Sequence, residues 1–442
     1  MRFHLKRSLQ LISISACLCL CLNFFLYDKS TVLRDAVSLS QVGLLKSNSS
    51  FTNKSQNVEI TPSRSRASVD VVPTYQQLIY PSEEYYADDR IVSQLNFVPE
   101  SVKRQLREGG VKNKKIFVDS GLSGWGLEAG QKTFLEQKCK VPYCELTDDQ
   151  NYVSTADVAL FKGMSMEYSK KQPHQKWILF MLESPYHTAF SVGDLANWTA
   201  TYRHDSTLMA PYEKFVPFND SVIIKKQDRN YAEGKTKQVA WFVSNCMSTN
   251  NRLQYAKELA QYIQVDIYGG CGSLVCSRTD ADKCYDLLNK DYKFYLSFEN
   301  SNCRDYITEK FFINGLKHDV IPIVMGAAPE DYERAAPPHS YIHVDEFASP
   351  KELAEYLLKL DKDDSLYNEY FKWKGTGDII NTFFWCRVCA LAHDEDRGQS
   401  WYQNMEAWWN GPDICIGEKT WRDVKRTKKL IADLPIVLPP NQ

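Results

Sequence analysis

The chain has no excess charge of either sign. Its 442 residues carry 53 Lys and Arg against 55 Asp and Glu, a formal net charge of -2. Nothing in that balance suggests nucleic acid as a partner. There is no G-x-x-x-x-G-K-[ST] phosphate loop and no G-x-G-x-x-G fingerprint, so the two commonest glycine-built nucleotide cradles are excluded. No segment repeats at a fixed period, which excludes a solenoid. A strand-end Asp-x-Asp is also missing. The acidic run Asp361-Lys-Asp-Asp364 follows an amphipathic pattern and reads as a solvated helix end. Near the C-terminus, Lys419, Arg422, Lys425, Arg426, Lys428 and Lys429 alternate with Trp421, Val424 and Leu430, the pattern of a solvated helix face.

What is present is a globular composition, 43% hydrophobic and 13% aromatic, long enough for two or three domains. Arg2, Lys6 and Arg7 precede an uncharged run, Ser8 to Tyr27, that is closed by Asp28 and Lys29. A run of that length spans a bilayer as a helix. Its basic N-terminal flank predicts a type II anchor (8–27) with a cytosolic tail (1–7) and a lumenal body. The polar stretch from 28 to 78 ("SNSSFTNKSQ", "TPSRSRAS") offers too little apolar surface to fold and reads as a stem. Cys17, Cys19 and Cys21 fall inside the apolar run. The ten others are Cys139, Cys144, Cys246, Cys271, Cys276, Cys284, Cys303, Cys386, Cys389 and Cys415. An even number in an oxidising compartment reads as disulfides, with connectivity left open. The sequons at Asn48, Asn53, Asn197 and Asn219 agree with a lumenal body.

Apolar strand-like runs recur at Lys115–Asp119, Asp157–Phe161, Trp177–Leu182, Gln238–Val243, Val265–Tyr268, Phe294–Phe298 and Val320–Met325. Helical patterns lie at Arg252–Tyr262, Ile307–Leu316 and Pro350–Leu360. This alternation predicts parallel sheets covered on both faces. The charged stretch "KKQDRNYAEGKTK" marks a boundary, so the expected organisation is one domain at 79–230, a second at 231–385 and a C-terminal segment at 386–442, with a cleft between the domains.

Two strand ends carry chemistry. In "FYLSFENSNCRDYITEKFF" the apolar run stops at Glu299 and a helix begins beyond Asp305. Ligands of open α/β sheets bind beyond the carboxyl ends of strands, and a helix N-terminus there suits a phosphate. Arg304 and Lys310 add positive charge, and Asn300 and Tyr306 can hydrogen-bond a sugar. On residues alone, a surface loop with capping groups fits equally. In "WILFMLESPYHTAF", Glu183 follows an apolar run. Partial desolvation there would raise its pKa, as a general base needs, although a capping or salt-bridged glutamate fits too. His187 reads as structural.

The stretch "FYLSFENSNCRDYITEKFFINGLKHDVIPIVMG" closely resembles the donor-site motif of the α1,3-fucosyltransferases. The resemblance extends to "LESPYHTAF", "NWTATYRHDS", "VAWFVSNC", "HSYIHVDEF" and "CRVC", roughly from Lys115 to Cys415, and is nearest to the insect enzymes that modify the N-glycan core. It implies a GT-B architecture, an acceptor domain followed by a GDP-fucose domain, and transfer with inversion to O3 of GlcNAc in the Golgi lumen. It implies Glu183 as general base. Glu309 and Lys310 would contact fucose and phosphates, and Asn300, Tyr306 and Arg252 the donor. Tyr202 and Arg203 match a Tyr-Arg pair, although His204 stands where many members have a second basic residue. Cys386 and Cys389 match a C-x-x-C that is disulfide-bonded in the family. No metal is expected to be required, with stimulation by divalent ions left open. The alternatives are a Lewis-type enzyme acting on antennal GlcNAc and a membrane-anchored glycan-binding protein without activity.

Overall fold

The computed structural model describes residues 79–81, 89–162, 171–188, 196–276, 281–398, 400, 402 and 404–424. The expected tail, anchor and stem, with Asn48 and Asn53, lie outside these residues, as does the basic run from Lys425 onward. Among the described residues no helix is long and apolar enough to cross a membrane.

Six parallel strands form the first sheet: β1 (Lys114–Val118), β2 (Cys144–Thr147), β3 (Val158–Lys162), β4 (Lys176–Met181), β5 (Trp198–Thr201) and β6 (Leu208–Met209), ordered β2-β1-β3-β4-β5-β6. A short antiparallel ribbon pairs β7 (Lys214–Pro217) with β13 (Gly377–Ile380). The second sheet holds β8 (Lys237–Phe242), β9 (Val265–Tyr268), β10 (Tyr292–Phe298), β11 (Ile321–Met325) and β12 (Ile342–His343), ordered β12-β11-β10-β8-β9 and again parallel.

The continuous apolar runs are explained by coverage on both faces. All seven residues of β10 are buried. Phe294, Leu296 and Phe298 pack with Ala256 and Leu259 of helix Arg252–Leu259 and with Leu353 and Leu357 of helix Pro350–Lys362. Tyr295 points the other way, toward Leu288 of helix Ala281–Lys290. Each such large side chain contributes roughly 1.5–3 kcal/mol of burial.

The first sheet is covered by the end of the chain. Trp385, Val388 and Leu391 of helix Phe384–Ala392 pack with Ile116, Leu160 and Ile178. On the opposite face Tyr402, Met405, Trp408 and Trp409 meet Phe117, Leu179 and Met181. Tyr306 and Cys303, from beyond β10, join that same cluster. Residues 384–409 therefore complete the first sheet rather than extend the second.

All ten cysteines among the described residues are paired: Cys139–Cys386, Cys144–Cys389, Cys246–Cys271, Cys276–Cys284 and Cys303–Cys415. Cys386 and Cys389 are bonded, but not to each other. Three residues apart on one helix, they share a face, and that face lies against the segment carrying Cys139 and Cys144. The lone C-x-x-C therefore ties the C-terminus to the first sheet.

Candidate active site

The strand order of the second sheet reverses between β8 and β10, so the loops leaving these neighbours diverge and open a crevice. The loop after β8 carries Asn245 and Asn250 and ends at Arg252, the first residue of its helix. The loop after β10 carries Glu299 to Asp305. Arg252 is only 4% exposed. Its Nη1 donates to the Phe298 carbonyl at 2.6 Å and its Nη2 to the Asn245 carbonyl at 3.0 Å. Nε has no partner, and no carboxylate pairs with the guanidinium among the described residues. Burial lowers its pKa. Burying an ion without a directly bonded partner of opposite charge is costly; nearby Glu299 offsets part of that cost, and an anionic ligand would offset more.

Glu299 lies beside it, fully buried. Its carboxylate accepts from the Thr308 amide at 2.8 Å and from the Thr308 hydroxyl at 2.9 Å, and pairs with Lys310 Nζ at 3.1 Å. Burial raises the Glu299 pKa, and Lys310 only partly offsets this. Lys310 also pairs with exposed Glu309 at 3.1 Å. Burial works against the ammonium, yet Glu299 and Glu309 outweigh it and hold its pKa above the usual lysine value. Gly326, at φ +150°, makes room for this network, since a Cβ there would come within 2.6 Å of Glu299 Cγ.

Glu183 leaves the carboxyl end of β4 in the first sheet and meets the second sheet's loops. Its Oε1 accepts from Tyr306 at 2.5 Å, from the Ser184 amide at 2.9 Å and from Asn300 Nδ2 at 3.1 Å. No protein donor reaches Oε2 among the described residues. Adjacent Ser184 and Ser301 share a hydroxyl contact at 2.8 Å, and Thr249 donates to Ser301 at 3.1 Å. Burial does push the Glu183 pKa up, as expected from the sequence. The bonds from Tyr306, Ser184 and Asn300 outweigh it, and the net shift is downward. The expectation of a raised pKa is therefore corrected. Tyr306, in contrast, is held firmly protonated by burial and by the nearby Glu299 and Glu183.

A second correction concerns the helix after the motif. It begins at Lys310, runs only to Leu316 and is π-helical. The amides of Lys310, Phe311 and Phe312 are bonded to Thr308, so this terminus does not offer free N–H groups to an anion. Of the two cations described above, Arg252 has no carboxylate bonded to it among the described residues, whereas Lys310 is already paired with Glu299 and Glu309.

The structure brings Glu183, Asn300 and Tyr306 into direct contact, with Arg252, Glu309 and Lys310 on the same loops. Tyr202 is buried and packs against Tyr306 with the rings tilted, 5.0 Å between ring centres. Arg203 is not gathered with them. It is 2% exposed, pairs with Asp205 at 2.5 Å, and donates to the Trp408 carbonyl beneath that indole. Neighbouring His204 is kept neutral by burial and donates its amide to Asp305 at 2.9 Å. Asn250 escaped the sequence reading, which noted Glu299 as the end of an apolar run without giving it a role. Asn250 donates to the Glu299 carbonyl at 2.9 Å and to Asn302 at 3.0 Å. The interruption of an apolar run by Glu299 was the signal available for it, and Asn250 gave none.

Comparison with known proteins identifies the family of the chain. Residues 120–213 match the profile "Fucosyltransferase, N-terminal" and residues 232–408 match "Glycosyltransferase family 10 (fucosyltransferase) C-term". The chain is 53% identical over 361 residues to glycoprotein 3-alpha-L-fucosyltransferase A of Drosophila melanogaster, covering 80% of this chain and 71% of that protein. It is 34% identical over 320 residues to alpha-(1,3)-fucosyltransferase C of the same organism, covering 64% and 73% respectively. A crystal structure of an α1,3-fucosyltransferase with GDP-fucose aligns at a TM-score of 0.44 and 16% identity, over 66% of this chain and 94% of that one. Two matched halves and a relative this similar place the chain in glycosyltransferase family 10, the fucosyltransferases.

Proposed function

We propose that this α1,3-fucosyltransferase moves fucose from GDP-fucose, with inversion, to O3 of the asparagine-linked core GlcNAc of glycoproteins. One observation carries the reading: a carboxylate from the first sheet is bonded to the very loop that follows β10, beside a buried arginine to which no carboxylate is directly bonded among the described residues. A base and an anion site in one crevice suit the displacement of a nucleoside diphosphate by a hydroxyl. The core acceptor follows the named activity of the 53% identical relative.

In this reading residues 79–230 bind the acceptor, 231–385 the donor, and 386–442 buttress the first part, in a GT-B arrangement. Glu183 takes the proton from the acceptor O3 through Oε2, while Tyr306 and Asn300 fix its orientation through Oε1. The base is already ionised well below neutral pH, so its task is positioning and proton acceptance rather than a tuned pKa. Arg252 and Lys310 face the diphosphate and stabilise the charge that grows as it leaves. Glu309 and Asn300 contact fucose, and Tyr202 supports the Tyr306 ring from behind. Arg203 contributes through Trp408 and Asp205 and not by touching the donor. These cations carry the leaving charge without a required metal, and divalent ions act at most as stimulants of GDP release. The disulfides fit a secretory enzyme; the anchor at 8–27 then places a type II protein in the Golgi membrane.

The test is fucose transfer by the purified chain to a core-GlcNAc glycopeptide and to a lactosamine acceptor, read by mass spectrometry. Product on the glycopeptide is expected. Product on lactosamine alone would reassign the acceptor, and GDP-fucose binding without any transfer would favour a glycan-binding protein.

A further inference from the structure

Lys419 and Arg422 belong to a run that reads in the sequence as a solvated helix face. In the structure, residues 413–424 contain no helix, and Trp421 between them is only 5% exposed. After helix Met405–Asn410, which packs on the first sheet, the chain crosses to the second. There the Arg304 amide donates to the Ile414 carbonyl at 2.8 Å and the Ile416 amide to the Asn302 carbonyl at 2.9 Å, on either side of the Cys303–Cys415 disulfide. Asn302 Nδ2 donates to the Gly417 and Lys419 carbonyls at 3.2 and 3.1 Å. Farther on, the Trp421 indole donates to the Gly326 carbonyl at 2.9 Å and the Trp421 amide to Asp345 at 2.7 Å. From the first sheet Tyr186, three residues past Glu183, donates its hydroxyl to the Cys415 carbonyl at 3.2 Å.

One short segment thus holds the loops that follow β4, β10, β11 and β12. Two of these loops carry Glu183 and its partners Asn300 and Tyr306, and Gly326 of a third lies against Glu299. Loops at strand ends are otherwise the mobile part of such a sheet, and a misplacement of about 1 Å can cost a reaction about a hundredfold.

We propose that Ile414–Arg422 is a clasp that holds the loop after β10 at the depth where Asn300 and Tyr306 reach Glu183, with Trp421 as its positioning residue. Trp421 acts through Gly326, and the Cys303–Cys415 bond acts through the residue three before Tyr306. The effect of the clasp on turnover rests on Glu183 being the base; its effect on the Glu183 carboxyl does not. The titratable groups around that carboxyl are His187 on its own turn, Tyr202 and Tyr212 from beyond β5 and β6, and Arg252 and Tyr306 from the second sheet. Burial holds the three tyrosines protonated. Two of the three hydrogen bonds that lower the Glu183 pKa come from the clasped loop, so loosening the clasp leaves burial to raise it.

The test is Trp421→Ala in the full chain carrying isotope-labelled glutamate. The Glu183 carboxyl, identified by the signal that Glu183→Gln removes, is titrated by carbon NMR, and turnover is followed against pH. The Glu183 pKa should rise, the acid limb of kcat should move to higher pH with it, and kcat at neutral pH should fall about tenfold. Trp421→Phe keeps an aromatic filling but loses the bond to Gly326. It should move the same carboxyl by less, and it carries the test if the alanine variant does not fold. A Glu183 titration that stays in place overturns the clasp even where turnover falls, because the loss is then one of stability alone. A titration that moves in a chain whose wild type transfers no fucose upholds the clasp and overturns the proposed reaction.

Discussion

Glu183 and Glu299 occupy equivalent places, just past the carboxyl end of a central strand, one in each sheet. Their environments drive them apart. Glu183 is half-buried and accepts three hydrogen bonds on one oxygen, so its pKa falls. Glu299 is fully buried and pairs with Lys310, and burial still raises its pKa. Position in the fold therefore does not set protonation; the depth of burial, weighed against the donors that reach the carboxylate, does. The two also differ in what they leave open. Glu183 leaves Oε2 without a protein donor among the described residues, whereas Glu299 spends both oxygens on Thr308 and Lys310.

The sharpest way to break this comparison is to remove each function in turn. Glu183→Gln keeps the size and the contact with Tyr306 but cannot take a proton. Turnover should fall about a hundredfold or more, with GDP-fucose affinity retained by calorimetry; near wild-type turnover would take Glu183 out of the mechanism. Arg252→Ala comes next. Losing a charge-assisted contact of about 1.5–3 kcal/mol should weaken GDP binding roughly ten- to a hundredfold, together with lower turnover. Unaltered GDP binding would mean that the buried guanidinium serves only the Phe298 and Asn245 carbonyls.

A smaller effect separates the glutamates by sign. The depressed Glu183 contributes stability that is present above the ordinary value of 4.5 and lost as pH falls through its folded value. The raised Glu299 behaves oppositely, and its contribution is lost as pH rises above 4.5 through its folded value. Measured by denaturant unfolding, the deficit of Glu183→Gln should narrow toward acid, and that of Glu299→Gln should narrow toward neutral pH. Parallel trends would contradict the assignment. The smallest expected effect is none: transfer should persist in excess chelator, because Arg252 and Lys310 carry the charge. Activity that vanished and returned only with manganese or magnesium would require acidic ligands such as Asp305 or Asp345.

Much of the second sheet was legible in the sequence because β8, β10 and β11 are buried on both faces and show as unbroken apolar runs. Strands β2, β5, β6 and β12 were not. They are short, and Cys144-Glu-Leu-Thr or Trp198-Thr-Ala-Thr carries no such run. The motif around Glu299 announced a site, and Arg252 was found through resemblance. Local reading could not foresee that Tyr306 and Asn300 would reach Glu183, a partner more than a hundred residues away, and so it misjudged the direction of the pKa shift. The partners of Cys386 and Cys389 stayed open for the same reason, since both are distant in sequence.

Those crosslinks have a consequence for biosynthesis. The partners of Cys139 and Cys144 lie 247 and 245 residues downstream, and Cys303 waits 112 residues for Cys415. Translation delivers about 5–20 residues per second, so the first sheet must remain open for many seconds after its own strands have been made. Trp385 and Trp409 arrive only then to cover its two faces. During that interval its uncovered strands are exposed to chaperones and to mispairing of thiols. A nascent chain arrested before residue 384 should therefore be retained and degraded, whereas one lacking the first seventy or so residues should still mature. The stretch from residue 384 onward acts as the quality-control checkpoint for the first sheet.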